Sequence, residues 1–190
     1  DLPRAHILTS QWELHGRRIV RERYGSVLSR GLILKRDHSV AHAEMTKHHA
    51  IALEGAPLFR EADMDLGVFG VCQPTILGLK TVLSALHCNP TEDKDDSRYC
   101  AWVCTREEPV VYVGDRPFVL RDALNPRHTM SMSSRAENLE AIEKRLKHDI
   151  LSEAVKNSGL LLVHEEQENT QELKSMWVAV EKGEVRTVRE

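Results

Sequence analysis

"YCAWVCTREEPVVYVGDRPFVL", running from Tyr99 to Leu120, holds the decision about the fold. Cys100 and Arg106 stand at Cys-x5-Arg spacing, which can bring a thiolate nucleophile and a guanidinium to one phosphate oxyanion. A loop that cradles an anion turns several backbone N–H groups toward it, and chains achieve this with glycines and a following helix N-terminus. Between Cys100 and Arg106 stand Ala, Trp, Val, Cys and Thr, none of them glycine. Trp, Val and Thr suit a pleated strand, in which Cys100, Trp102, Cys104 and Arg106 share one face over roughly 20 Å. One phosphate cannot join thiol and guanidinium across that span. Tyr99 to Cys104 is therefore predicted to be a buried strand, with Cys100 an inert core thiol. After Pro109 the apolar runs "VVYV" and "PFVL" are parted by Gly114, Asp115 and Arg116, which predicts a hairpin.

Working outward, "LGVFGV" (Leu66 to Val71) is a short buried-strand candidate. Pro74 then suits the first turn of a helix carrying Ile76, Leu79, Val82, Leu83 and Leu86 on one face. "NPTEDKDDSR", Asn89 to Arg98, has no apolar residue and is expected to be an exposed loop. Downstream, Ser134 and Glu137 make a capping box. Leu139, Ile142, Leu146, Ile150 and Val155 then recur at helical steps to about Asn157, and Gly159 ends the helix. "LLLV", Leu160 to Val163, follows as a buried strand. The order strand, helix, strand, hairpin, long helix, strand predicts an α/β fold with a mainly parallel sheet flanked by helices. Residues 1–60 show short apolar patches without a clear period and are taken as an irregular N-terminal segment, leaving 61–190 as the folded domain.

A length of 190 residues suits one ordinary domain. Lys plus Arg number 26 against 29 Asp plus Glu, a net charge of -3, so no basic field advertises nucleic acid or an anionic membrane. No apolar run approaches the ~18 to 20 residues of a membrane span, and the N-terminus has no basic-then-apolar signal segment. Cys72, Cys88, Cys100 and Cys104 show no paired C-x2-C spacing, so reduced thiols in the cytoplasm are expected. The chain starts at Asp1 and stops within "EVRTVRE", and it is read as a piece of a longer protein.

Few residues are candidates for chemistry. Arg106, Glu107 and Glu108, with Pro109, are expected where a strand gives way to a loop, the edge that lines ligand crevices in open α/β sheets. Arg106 would wall a phosphate pocket and one glutamate would orient it; the competing reading is a structural ion-pair knot. His38, His42, His48 and His49 lack an accompanying Cys or ordered carboxylate pattern, so 38–49 is taken as a solvated loop and no metal is assigned. His164 suits either a general base or the polar end of a strand. Glu165, Glu166 and Glu168 are taken as a solvated turn, and no cofactor is indicated.

"YGSVLSRGLILKRDH", "IALEGAPLFR", "VFGVCQPTILGLKTVL", "TREEPVVYVGDRPFVLRD" and "RAENLEAIEKRLKHDIL" resemble, in order, successive blocks of a repeat unit of the paladin family. Paladins are multi-repeat proteins of the cysteine-phosphatase superfamily, similar to the phytase-like inositol polyphosphate phosphatases. The resemblance implies a partial cysteine-phosphatase-like fold with the Arg-Glu-Glu-Pro block at the end of a core strand. It also implies that residues 61–190 are the N-terminal part of such a domain, cut before a Gly-rich Cys-x5-Arg loop. No catalytic residue is carried over to this chain, which alone is expected to be inactive. The implied parent acts on phosphotyrosine or inositol phosphates, so its partners are a phosphorylated small molecule or phosphoprotein and, for this chain, the rest of the parent. The alternative is a pseudophosphatase or scaffold repeat that binds partner proteins.

Overall fold

The computed structural model describes residues 14–37, 51–63, 65–88, 99–167 and 172–190. Residues 14–22 are helical (α1), followed by β1 (Leu32–Arg36), β2 (Arg60–Asp63), β3 (Val68–Gly70) and α2 (Ile76–Ala85). Then come β4 (Val110–Val113), β5 (Arg116–Asp122), α3 (Ala136–Lys156), β6 (Leu160–Glu166), β7 (Leu173–Ala179) and, after one 3-10 turn, β8 (Val185–Thr187). These elements pack as two units. One is built of Asp1–Arg36, Arg106–Gly114 and Phe118–Glu190, the other of Asp37–Thr105 and Asp115–Pro117.

The first unit is a six-stranded sheet in the order β7-β6-β1-β5-β4-β8 with helices on its faces, as the α/β reading expects. The sheet is mixed rather than mainly parallel. Among the described residues β1 and β6 run parallel, whereas β1–β5, β4–β8 and β6–β7 are antiparallel. Parallel neighbours need a crossover of a dozen or more residues, and the six residues between β6 and β7 permit only reversal. Alternating burial sorts the side chains between two layers. Leu34, Val111, Val113, Leu120, Leu161 and Val163 pack with Leu146 and Ile150 of α3. Ile33 and Leu162 point the other way and pack with Val20 of α1 and with Trp177.

Residues 1–60, expected to be irregular, supply α1 and the strand that lies between β6 and β5. The expected boundary at 60/61 therefore does not follow the packing. β1 is short and only Ile33 and Leu34 are fully buried, too few residues to show a period. The hairpin forms as expected, with Gly114 at φ 61° supplying the left-handed turn residue. α3 also forms within the expected limits, but its N-cap is Arg135 with no side-chain cap, so the Ser134/Glu137 box is not made. Ser133 Oγ instead accepts from the Arg135 N–H at 3.1 Å. At the other end Gly159, at φ 84°, donates its N–H to Ala154 O at 2.8 Å.

The second unit holds the antiparallel pair β2–β3 and α2 around Ala56, Phe59 and Val82. "LGVFGV" yields only the three-residue β3, with Val68 exposed rather than buried. Pro74 precedes the N-cap Thr75 instead of entering the first turn. A Cβ on Gly78 would meet Gly55 O at 1.9 Å, so only glycine lets α2 press against that turn. Tyr99 to Cys104 is neither strand nor buried: every residue of it is exposed, Tyr99 completely. Strand preference reports fit to a pleated, half-buried surface, and no ladder partner pairs with this stretch among the described residues. The loop Asn89 to Arg98, the histidines within 38–49 and Glu168 lie outside the described residues.

Candidate functional site

Arg106, Glu107 and Glu108 are brought together, but they open a strand rather than end one, since β4 begins at Val110. The expected placement at a carboxyl edge is thereby corrected; the β-rich residues before Arg106 form no ladder, so the sheet starts only after Pro109. Glu108 is buried, and its carboxylate sits between the guanidiniums of Arg106 and Arg121, an ion pair with each. Arg121 is also buried; its Nη1 donates to Leu120 O at 2.7 Å, and its Nε has no partner among the described residues. Glu107 turns to the chain entering α3. Its Oε2 accepts from Ser131 Oγ at 2.8 Å, and its carbonyl accepts from the Met132 N–H at 2.8 Å. From α3, Glu143 Oε1 accepts from the Val110 N–H at 3.0 Å. Burial pushes the Glu143 carboxyl up, partly offset by N–H donation from Val110 and Val188. The block thus fastens the start of β4 to β5 and α3, and Glu108 answers one side of two guanidinium charges.

At the opposite end of the sheet, the acidic run is paired rather than a solvated turn. Glu165 and Glu166 close β6, with Arg36 on Glu165, and Lys35 Nζ on Glu166 Oε2 at 2.8 Å. Arg127 Nε lies 3.9 Å from the other Glu166 oxygen. This happens because β1 and β6 run parallel, placing the basic end of "LILKR" beside the acidic end of "LLLVHEE". His164 is largely buried, and desolvation together with the Arg23 charge lowers its pKa to about 4. Its Nδ1 has no partner among the described residues. A neutral imidazole of that basicity is a poor general base near neutral pH.

Sequence reasoning missed a third constellation. A cleft of about 340 Å³ runs between α1, the Tyr24–Leu28 turn and the C-terminal half of α3. Arg23 is buried at its floor: Nε and Nη2 each donate to Glu153 at 2.8 Å, while Leu32 O and Leu162 O accept at 2.7 and 2.8 Å. Asp149 Oδ2 accepts from the N–H groups of Val27 at 2.6 Å and Leu28 at 3.0 Å. A Cβ on Gly25 would lie 2.6 Å from that carboxylate, which explains the glycine in "YGSVL". Lys156 Nζ stands 3.8 Å from the centre of the Tyr24 ring at the rim. The available signal was Asp149 on the apolar face of α3, beside Ile150 and three residues from Leu146. Every buried charge in this cleft is satisfied, so its chemistry is structural.

Cys100 lies on the exposed irregular stretch, and desolvation and the neighbouring Cys88 thiol push its pKa up. A nucleophile needs the reverse shift. Among the described residues no group of three or more His, Cys, Asp or Glu is placed to hold a metal ion, and no helix is long and apolar enough to cross a membrane.

Residues 103–190 match the family model of the PTP-like phytases, whose description reads inositol hexakisphosphate. Human paladin is 34% identical over 100 residues, which are 50% of this chain and 11% of that protein. Over about half of its length the chain is similar to the paladins. Mouse paladin is 38% identical over 106 residues, again 50% of this chain and 11% of its own length, and chicken paladin 34% over 110 residues. The chain thus spans about a tenth of the paladins it matches. No solved structure matches. The matched region takes in β4 to β8, α3 and the knot at Glu108.

Proposed function

We propose that this chain is the framework of a paladin-like phosphatase unit and performs no chemistry alone. Phosphate-ester hydrolysis by the parent then depends on a Gly-rich Cys-x5-Arg loop outside this sequence. The observation that carries the proposal is the fate of the chain's own Cys-x5-Arg match. The Cys100 thiol is pushed up by its surroundings, while the Arg106 guanidinium is engaged with Glu108. Neither group has the setting of an anion cradle. Phosphotyrosine or an inositol phosphate is the substrate class of the parent, the second supported by the description of the matching family. The cytoplasm is its compartment, a reading supported by four free thiols.

A second reading, a pseudophosphatase repeat that binds partner proteins, is favoured by one fact: the arginine of the Arg-Glu-Glu-Pro block is tied into a knot with a buried glutamate. The test is to assay the purified chain and Cys100→Ser with an aryl phosphate and with inositol hexakisphosphate. Neither protein should exceed background. Turnover lost in Cys100→Ser would overturn the proposal. Assaying the parent then separates the readings, because a framework for catalysis requires a parent that hydrolyses one of the two esters.

A further inference from the structure

We propose that Ser26 is a phosphorylation site for a basophilic serine kinase, and that its phosphate unfastens the Tyr24–Leu28 turn from α3. Two independent observations meet at this hydroxyl. In the sequence, "RERYGSV", Arg21 to Val27, sets arginines five and three residues before Ser26 and an apolar residue directly after it. Kinases select substrates by charge pattern, and arginines ahead of the acceptor suit an enzyme whose peptide groove is acidic. No other serine or threonine of this chain has arginine at both positions; Ser39 has only Arg36, three residues before it. In the structure, Ser26 is exposed at the tip of a short turn, which is closed by the Tyr24–Ser29 bridge and by the Gly25 N–H on Leu28 O at 3.1 Å. An exposed tip offers its hydroxyl to an enzyme. Beneath it, Ser26 Oγ lies 3.4 and 3.3 Å from the two oxygens of Asp149, the carboxylate that holds the Val27 and Leu28 N–H groups.

In the transfer, Ser26 Oγ attacks the γ-phosphorus of magnesium-bound ATP. The new O–P bond forms, the bond from that phosphorus to the oxygen it shares with the β-phosphate breaks, ADP leaves, and the hydroxyl proton passes to the kinase's catalytic base. The product sets about -1.5 to -2 charge against the Asp149 carboxylate. The lysine and arginine that line the cleft are already engaged: Arg23 is bound to Glu153, Leu32 O and Leu162 O, and Lys156 Nζ stands over the Tyr24 ring. Repulsion therefore pushes the turn off Asp149 and frees the two N–H groups. Arg23 also acts as a gate. While it is buried, the arginine three residues before the acceptor cannot be read, so the kinase acts on the segment when α1 and the turn come away from α3. The phosphate then opposes the return.

The test incubates the full 190-residue chain with magnesium ATP and a purified kinase selective for arginine five and three residues before serine, maps the phosphopeptides, and follows amide hydrogen exchange. The expected result is a phosphate on Ser26, a melting midpoint lowered by several degrees, and faster exchange at the Val27 and Leu28 amides. Arg21 is exposed, so Arg21→Ala should slow uptake several-fold while the unmodified variant melts as the unaltered chain does. Should that variant fail to fold, Arg21→Lys, which keeps the charge but loses the planar fork, takes its place. Glu153→Gln loosens the hold on Arg23 and should speed uptake. An empty Ser26 with the kinase active on a control peptide, phosphate at Ser39 alone, or uptake undiminished by the Arg21 change would overturn the proposal. So would slower uptake in Glu153→Gln, or a Ser26 phosphate that leaves the two amides as protected as before.

Discussion

Glu108 shows how one buried carboxylate can set the course of a strand. It is buried just ahead of β4 and compensated by two guanidiniums, so Glu108→Gln leaves Arg121 buried with reduced compensation. Loss of one member of a buried pair costs about 3 to 5 kcal/mol, and urea denaturation of Glu108→Gln should show a loss in that range. Arg106→Ala should cost less, because that side chain is 28% exposed and Arg121 still serves the carboxylate. A larger effect for Arg106 than for Glu108 would refute the knot. His164 makes a prediction in pH. Its pKa is 6.5 in the unfolded reference and about 4 in the fold, so below pH 6.5 the unfolded chain binds a proton that the folded chain refuses. The stability is therefore complete above pH 6.5 and declines as pH falls toward 4, by roughly 2 to 3 kcal/mol at the acid end. Replacing the titrating group in His164→Gln should flatten that part of the stability profile.

At the scale of elements, the long helix was the most legible, because Leu146 and Ile150 recur at its period and both are fully buried. Leu146→Ala should cost about 2 to 5 kcal/mol in thermal or urea unfolding, and a loss below ~0.5 would mean an exposed face. Val155 misled, since five residues past Ile150 is about 140° around the helix, and Ala154 takes the core position instead. The hairpin was legible through Gly114. The irregular, exposed course of Tyr99 to Cys104 was not, because a β-rich composition says nothing of whether a partner strand is present. Charged anchors were the least legible of all. Arg23 meets Glu153 across 130 residues of sequence and Asp149 meets Val27 across 122, and no local period encodes such pairs. Asp149→Ala would strand two backbone N–H groups, and a loss of about 1 to 3 kcal/mol with the helix content unchanged is the expected result.

For the whole molecule, the consequential fact is that β1 comes from the segment that sequence patterning left unstructured. A chain shortened to begin at Glu61 keeps α3 and five strands of the six-stranded sheet, yet lacks the strand that joins β6 to β5. It should show no cooperative thermal transition by near-ultraviolet dichroism, whereas a chain beginning at Leu14 should melt cooperatively; equal melting of the two would refute the sheet order. Resemblance at the level of blocks thus pointed to the relatives that the chain matches, while the fold's limits had to come from packing. The parallel pairing of β1 with β6 also sets a clock. Arg36 and Glu165 are 129 residues apart, so on a ribosome adding about 5 to 20 residues per second the first strand waits roughly 6 to 26 s for its neighbour to be made. During that interval its apolar residues stand without the sheet that later covers them, which makes the nascent chain a natural client for chaperones.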